Sequence, residues 1–179
     1  LDFLVFSTVT FYKQLGDSKQ VWNDFKGNHL NRFLAHDLPW VICSPVWKKS
    51  FLRNIGCFNE SLVRLQDVDL HTRALLSKNV KYSINNLDNP DSFYRIDNNR
   101  ILDYKEFLFN DIVGKIEFIK SMNKIGFFGN KYLKGTYVEC FNLLFELYKN
   151  NTIGKMDLYK LKKYILNSKK YLSLNNFEI

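Results

Sequence analysis

The chain opens with a run in which side chains of one parity are mostly apolar. Five residues share that parity: Phe3, Val5, Ser7, Val9 and Phe11. Alternation with a period of two predicts a β-strand, and the apolar character of the whole run predicts that most of this strand is buried.

Residues 47–99 change between helix and strand patterns. Apolar side chains recur at helical spacing at four positions, Trp47, Phe51, Leu52 and Ile55. They predict a short helix over residues 47–55, which Gly56 ends. A second helix is predicted from Asp67 to about Lys78, with acidic side chains in its first turn. A strand from Val80 to Ile84 and an Asn- and Asp-rich loop over residues 85–99 should follow.

Residues 101–179 carry three stripes of apolar side chains at helical spacing. The first and clearest stripe comprises Tyr104, Leu108, Ile112, Ile116 and Ile119, and the others cover residues 132–147 and 158–172. Glycines separate the stripes at three positions, Gly126, Gly129 and Gly154. The pattern predicts two parts, a mixed α/β part over residues 1–100 and an all-helical part over residues 101–179.

The composition is that of a folded protein. Hydrophobic side chains make up 46% of the 179 residues and charged side chains 25%, which argues against a disordered chain. No run approaches the roughly 18 consecutive apolar residues that cross a bilayer. The chain begins at Leu1, within a strand-like run and without an initiator Met, so we expect a fragment whose beginning lies elsewhere.

Cysteine and histidine residues give no metal-ligand pattern. Three cysteines without C-x-x-C spacing fit neither a disulfide framework nor a zinc site: Cys43, Cys57 and Cys140. We expect them to be buried, reduced thiols of a cytosolic protein. The three histidines, His29, His36 and His71, also lack ligand spacing, so we predict no metal site within this chain.

Positive charge is concentrated near the end of the chain. The net charge is +8, and the third predicted helix region holds one acid, Asp157, with six lysines: Lys155, Lys160, Lys162, Lys163, Lys169 and Lys170. A basic amphipathic helix over residues 155–171 can lie on an anionic membrane. A solvated helix face explains the same pattern, so both interpretations stay open. We do not expect nucleic acid as the partner.

The segment that best fits a catalytic role is Gln66-Asp67-Val68-Asp69. The helix fixes the direction of a carboxylate at its N-terminus, and the helix dipole favours the ionised form of that carboxylate. Such a group can accept a proton from a hydroxyl within hydrogen-bond distance. The alternative is simple N-capping, with Asp69 and Arg73 forming an ion pair on the helix surface.

Four stretches together resemble a known family: Leu38–Trp40, Ser44–Leu52, Ile55–Glu60 and Gln66–Leu75. Their order and spacing are similar to the acceptor-binding half of a family-2 glycosyltransferase with the GT-A fold. That family shows an aromatic-rich segment, a short basic helix, G-x-F-D-E, and an E-D motif opening a helix with D-L-x-x-R. The resemblance covers about residues 1–100. It implies an α/β fold, the C-terminal half of a GT-A nucleotide-sugar transferase domain, followed by a helical annex.

The resemblance also implies roles for individual residues. Asp67 matches the general base that deprotonates the acceptor hydroxyl, while Gln66 stands where the family usually has Glu. Glu60 matches the family's acid, although Asn59 replaces the preceding Asp. Glu60, Gln66 and Asp69 belong to the implied substrate-binding set.

Three further members of that set lie outside the acidic motif. Trp40 matches an aromatic side chain that lines the acceptor pocket, where a planar face suits a sugar ring. Tyr94-Arg95 resembles a Y-R element near the donor diphosphate, whose oxygens suit a guanidinium. The alternatives are a Trp40 that packs in the core and an Arg95 that forms a surface ion pair.

The resemblance implies an inverting sugar transfer from a nucleotide sugar to a glycan or lipid-linked acceptor. A divalent Mg or Mn ion is expected in the parent enzyme, held by a D-x-D motif in an upstream half that this chain lacks. The isolated chain should therefore be inactive. Assembly of a bacterial surface polysaccharide is the implied setting, in the cytoplasm or at the inner membrane face. A non-catalytic basic module that binds membrane or nucleic acid is the competing interpretation, and a third treats residues 101–179 as an oligomerisation annex.

Overall fold

The computed structural model describes residues 1–85, 90, 92–97, 103–127 and 129–172. Five strands are found there: β1 (Phe3–Phe6), β2 (Thr8–Phe11), β3 (Pro45–Trp47), β4 (Tyr82–Asn85) and β5 (Ser92–Arg95). Six helices accompany them: α1 (His29–Leu34), α2 (Lys49–Asn54), α3 (Gln66–Leu76), α4 (Tyr104–Lys124), α5 (Lys131–Lys149) and α6 (Lys155–Ser168). The predicted mixed α/β class is confirmed.

The chain forms two compact units. The sheet unit comprises Leu1–Asn59 with Leu70–Ile101, and the helical unit comprises Glu60–Asp69 with Leu102–Ile179. The sequence placed the division near residue 100, and the third and last change of unit along the chain follows Ile101. The structure adds a feature that the sequence did not indicate, because residues 60–69 group with the helices.

The opening run is two strands and not one. Strand β1 lies at the centre of a three-stranded sheet, antiparallel to β3 and parallel to β4, whereas β2 pairs in parallel with β5. The buried parity changes at the break: Phe3, Val5 and Ser7 are buried, and then Thr8 and Thr10 are buried. The predicted burial of Val9 and Phe11 on the face of Phe3 is therefore wrong, because the two strands belong to different sheets.

The short elements show where sequence patterns are weak. Strand β5 lies within the predicted loop over residues 85–99, most of whose other residues fall outside the described part of the chain. Four residues are too few for a pattern, and β5 owes its conformation to pairing with β2. Helix α2 falls inside the predicted helix, but Trp47 belongs to β3. Helix α3 begins one residue before its predicted start.

An aromatic core fills the sheet unit. The Phe3 ring centroid lies 4.6 Å from that of Trp47 and 4.9 Å from that of Tyr82. Trp40 is fully buried, and its ring centroid lies 5.0 Å from that of Phe33. Helix α1 contributes Phe33, and the Asn28 side chain caps this helix by accepting a hydrogen bond from the Asn31 amide.

The helical unit is built on the predicted stripes. Four residues of the first stripe are buried in α4, namely Leu108, Ile112, Ile116 and Ile119, while Tyr104 is exposed. Helix α6 continues into a 3₁₀ turn over Lys169–Leu172. The predicted helical character is confirmed for the described residues of this region. None of the described helices has both the length and the apolar character needed to span a bilayer.

Only one cysteine lies where the sequence predicted. Cys140 is buried in α5, and this burial raises the pKa of its thiol to about 12. Cys43 and Cys57 are exposed, so their predicted burial is wrong. Both lie in irregular segments, where no periodic pattern indicates which side faces the core.

Candidate functional site

The segment that leads into α3 packs tightly on α4. The Arg64 guanidinium carbon lies 4.4 Å from the Phe107 ring centroid, and Arg64 Nε lies 3.9 Å from an Asp111 carboxylate oxygen. Gly114 permits the approach, because a Cβ at that position would lie 2.9 Å from Arg64 Cβ. These contacts fix residues 60–69 to a long helix and so give the start of α3 a defined position within the helical unit.

Asp69 completes this attachment. Its side chain is fully buried, and the Ser121 hydroxyl on α4 donates a 2.6 Å hydrogen bond to Asp69 Oδ1. Asp69 therefore does not lie on the helix surface, where the sequence placed a possible ion pair with Arg73. Arg73 donates to the carbonyl oxygens of Ile55 and Cys57, the second at 2.7 Å, and thereby holds the turn after α2. Asp69 thus has an anchoring role, and its contact with a substrate stays a prediction.

Asp67 lies in the first turn of α3 and is only half-buried. Its Oδ1 accepts a 2.9 Å hydrogen bond from the Val68 amide, and within the described residues Oδ2 accepts none. The neighbouring Gln66 side chain is engaged, because its Nε2 donates to the Leu62 carbonyl oxygen at 2.6 Å. Glu60 is exposed. Of the two aspartates in the first turn of α3, Asp67 is therefore the one that solvent or a ligand can reach.

A second group of candidate residues lies on β5 in the sheet unit. Tyr94 is exposed, and its ring centroid lies 5.0 Å from that of Trp22 at an interplanar angle of 52°. Arg95 is also exposed, and its guanidinium carbon lies 5.3 Å from the Phe11 ring centroid. Arg95 forms no ion pair with any described carboxylate, so the surface ion pair considered from the sequence is not found there. Trp22, Tyr94 and Arg95 thus expose two aromatic rings and a cation to solvent.

Trp40 has a different environment from these exposed residues. It is fully buried, and the centroid of its ring lies 5.1 Å from that of His29 and 5.8 Å from that of His71. The core-packing alternative describes this position. The structure gives Trp40 no exposed face, and its contact with an acceptor stays a prediction.

The divalent metal implied by the resemblance has no site among the described residues. No group of three or more His, Cys, Asp and Glu side chains is close enough together to hold an ion there. Asp67-Val68-Asp69 has the letters of a metal motif, but Asp69 is buried against Ser121. The residues present do not fit such an ion, and no step below is routed through one.

Two contributions were missed by the sequence analysis. Trp22 lies among polar residues outside any periodic pattern, and an isolated Trp in a polar segment was the one available signal. The close approach of Gly114 to Arg64 had no signal, because it joins residues that are distant in sequence.

The structure separates the candidate residues into two sets. Four lie on the segment 60–69 of the helical unit, namely Glu60, Gln66, Asp67 and Asp69, and three lie in the sheet unit, namely Trp40, Tyr94 and Arg95. In comparisons with known proteins, no family model, no characterised protein and no solved structure matches this chain. The function proposed for it rests on the residues described above and on the resemblance in its sequence.

Proposed function

We propose that this chain is the acceptor-side part of an inverting glycosyltransferase, with Asp67 as the general base. The observation that carries the proposal is the contrast between two aspartates in one helical turn. Asp69 is buried and anchors the segment, whereas Asp67 is half-exposed with Oδ2 accepting no described hydrogen bond. A carboxylate held by a packed segment and open on one side suits proton abstraction, because its geometry is fixed before substrate binds.

The proposed reaction is a direct displacement at the anomeric carbon. Asp67 accepts the proton of an acceptor hydroxyl while that oxygen attacks the anomeric carbon of the donor sugar. The new carbon–oxygen bond forms as the bond to the phosphate oxygen breaks, and the nucleoside diphosphate leaves with the electron pair. Because attack and departure occur on opposite sides, the product has the inverted anomeric configuration.

The exposed group formed by Trp22 with Tyr94 and Arg95 of β5 supports the same substrate class. Aromatic faces such as those of Trp22 and Tyr94 pack against the apolar C–H face of a sugar ring. The Arg95 guanidinium suits diphosphate oxygens, which it can bind through two parallel hydrogen bonds. The proposed donor is thus a nucleotide sugar and the acceptor a glycan or lipid-linked saccharide, as in assembly of a bacterial surface polysaccharide.

The test is replacement of the proposed base in the full-length protein. Asp67→Asn keeps the shape of the side chain and removes its ability to take a proton. We expect turnover of the nucleotide sugar to fall by about a hundredfold to ten-thousandfold, the usual contribution of a general base. The KM for the donor should change little, because the step that is lost is deprotonation of the acceptor. Release of nucleoside diphosphate in the presence of acceptor measures both quantities.

The matched control is Glu106→Gln, which neutralises an exposed acid in the first turn of α4. This variant should turn over at the wild-type rate, since Glu106 lies outside the proposed site. Unchanged turnover in Asp67→Asn would remove Asp67 from the role of base. An equal loss in both variants would show that the effect is a general one of charge.

A further inference from the structure

Helix α6 presents an unusual face to solvent. Leu161, Ile165 and Ser168 are buried on its inner side. The outer side carries three large apolar side chains, Met156, Tyr159 and Leu166, which are 66%, 63% and 43% exposed. Together with Lys163 they lie three, four and three residues apart, so they form one stripe along the helix. Such a stripe is not explained by packing within the helical unit.

Lysines lie within the stripe, at Lys163, and on both sides of it. Five of them are exposed on α6 and the 3₁₀ turn that follows it: Lys155, Lys160, Lys162, Lys163 and Lys170. Within the described part of the chain, none of these five forms an ion pair with a carboxylate. Residues 155–172 hold six lysines and one aspartate, a net charge of +5 in a chain whose net charge is +8. The outer face of α6 is therefore both apolar and strongly basic.

We infer that the outer face of α6 docks on an anionic lipid bilayer, lying parallel to the membrane plane. Met156 and Leu166 would enter the boundary between headgroups and acyl chains, and Tyr159 would sit at the headgroup level, where amphipathic rings are favoured. The flanking lysines would contact lipid phosphates and carboxylates, with their aliphatic stems along the apolar boundary. This inference does not depend on the proposed sugar transfer.

A bilayer fits this face better than a nucleic acid does. Phosphates of a nucleic acid would satisfy the lysines, but aliphatic side chains such as Met156 and Leu166 would gain little from a polar, charged backbone. A purely solvated face accounts for the lysines and leaves three large apolar side chains in water. A bilayer, which is anionic at its headgroups and apolar beneath them, matches both components.

The inference is tested by co-sedimentation of the chain with lipid vesicles. Vesicles with about one third phosphatidylserine should bind it at least about tenfold more tightly than pure phosphatidylcholine vesicles, and added salt should weaken the binding. Met156→Ser with Leu166→Ser should weaken binding by about tenfold. Lys155→Gln with Lys163→Gln should also weaken it by about tenfold or more. Far-ultraviolet circular dichroism checks that the helices persist.

Each pair of substitutions has a matched control elsewhere on the surface. Val138→Ser with Phe145→Ser removes two exposed apolar side chains from α5, and Lys13→Gln with Lys19→Gln removes two exposed charges from the sheet unit. Both controls should bind like the wild type. Equal losses in controls and α6 variants would overturn the inference. So would binding to an RNA or DNA oligonucleotide without binding to anionic vesicles, or equal binding to both kinds of vesicle.

Discussion

Asp67 and Asp69 are two positions apart and have opposite environments. Two helical residues rotate the side chain by about 200°, so their side chains point to opposite sides of α3. One side is covered by α4, where Ser121 donates to Asp69, and the other leaves Asp67 half-exposed. This geometry gives Asp69 an anchoring role and leaves Asp67 accessible to a ligand.

The anchoring role can be measured through Ser121. Ser121→Ala removes the hydroxyl that donates to the buried Asp69 carboxylate. We expect the free energy of unfolding to fall by about 2 kcal/mol, because a hydrogen bond to a buried charged group is lost. Urea unfolding followed by circular dichroism gives this free energy.

Ser50→Ala serves as the comparison, since Ser50 is exposed on the short helix α2. Its effect should lie within about 0.5 kcal/mol of zero, as for most surface substitutions. If Ser121→Ala were as mild as Ser50→Ala, the bond to Asp69 would not be what holds the segment.

Single residues show how far the sequence leads. Helical spacing predicts that Asp67 and Asp69 face different ways, and the sequence correctly indicates a helix that begins there. It does not indicate which side is covered, because the covering Ser121 comes more than fifty positions later. The burial of Trp40 and the exposure of Trp22 could not be predicted from the sequence either, since an apolar ring suits a core and a ligand surface equally well. Tertiary packing alone decides between them.

Among the secondary-structure elements, long periodic segments were predicted well, whereas the short strand β5 was not predicted. Helices α4, α5 and α6 follow stripes that extend over several turns, so the periodicity is unambiguous. Strand β5 has four residues, and its pairing with β2 joins positions more than eighty residues apart. No local signal encodes such a partner. The chain also changes sheet after Phe6. The buried side chains then switch from odd to even positions, although the apolar pattern of the sequence continues at the odd positions Val9 and Phe11.

The contact between α4 and the segment 60–69 depends on one glycine. Gly114→Ala would place a Cβ 2.9 Å from Arg64 Cβ, next to backbone that cannot easily move. Alanine favours a helix over glycine by about 1 kcal/mol. Overpacking costs about 1–3 kcal/mol, so we expect a net loss of about 1 kcal/mol in the free energy of unfolding. Thermal or urea unfolding measures the change.

Gly135→Ala on α5 is the matched substitution in open space. Gly135 is exposed, and a Cβ there would meet no atom within 4 Å. Only the gain in helix propensity applies, so this variant should be stabilised by about 1 kcal/mol. Opposite signs for the two variants support close packing at Gly114. A stabilised Gly114→Ala would show that the segment is not held against α4 as described.

At the scale of the whole molecule, the helical unit contains the proposed base, Asp67. The stretch Glu60–Asp69, which includes the first residues of α3, belongs to the helical unit. The rest of α3, from Leu70 onward, belongs to the sheet unit. The same unit carries the basic, apolar face of α6. The sequence predicted a helical annex appended to a catalytic part. The structure makes this unit the support of Asp67, through Arg64, Gly114 and Ser121.

The central claim is that the protein forms a glycosidic bond by direct displacement. The most direct measurement is the anomeric configuration of the product made by the full-length protein from a nucleotide sugar and a saccharide acceptor. Proton NMR of the new anomeric hydrogen reports that configuration as nucleoside diphosphate is released. The account predicts a product inverted relative to the donor. Retained configuration, or no release of nucleoside diphosphate from any of a panel of nucleotide sugars, would contradict it.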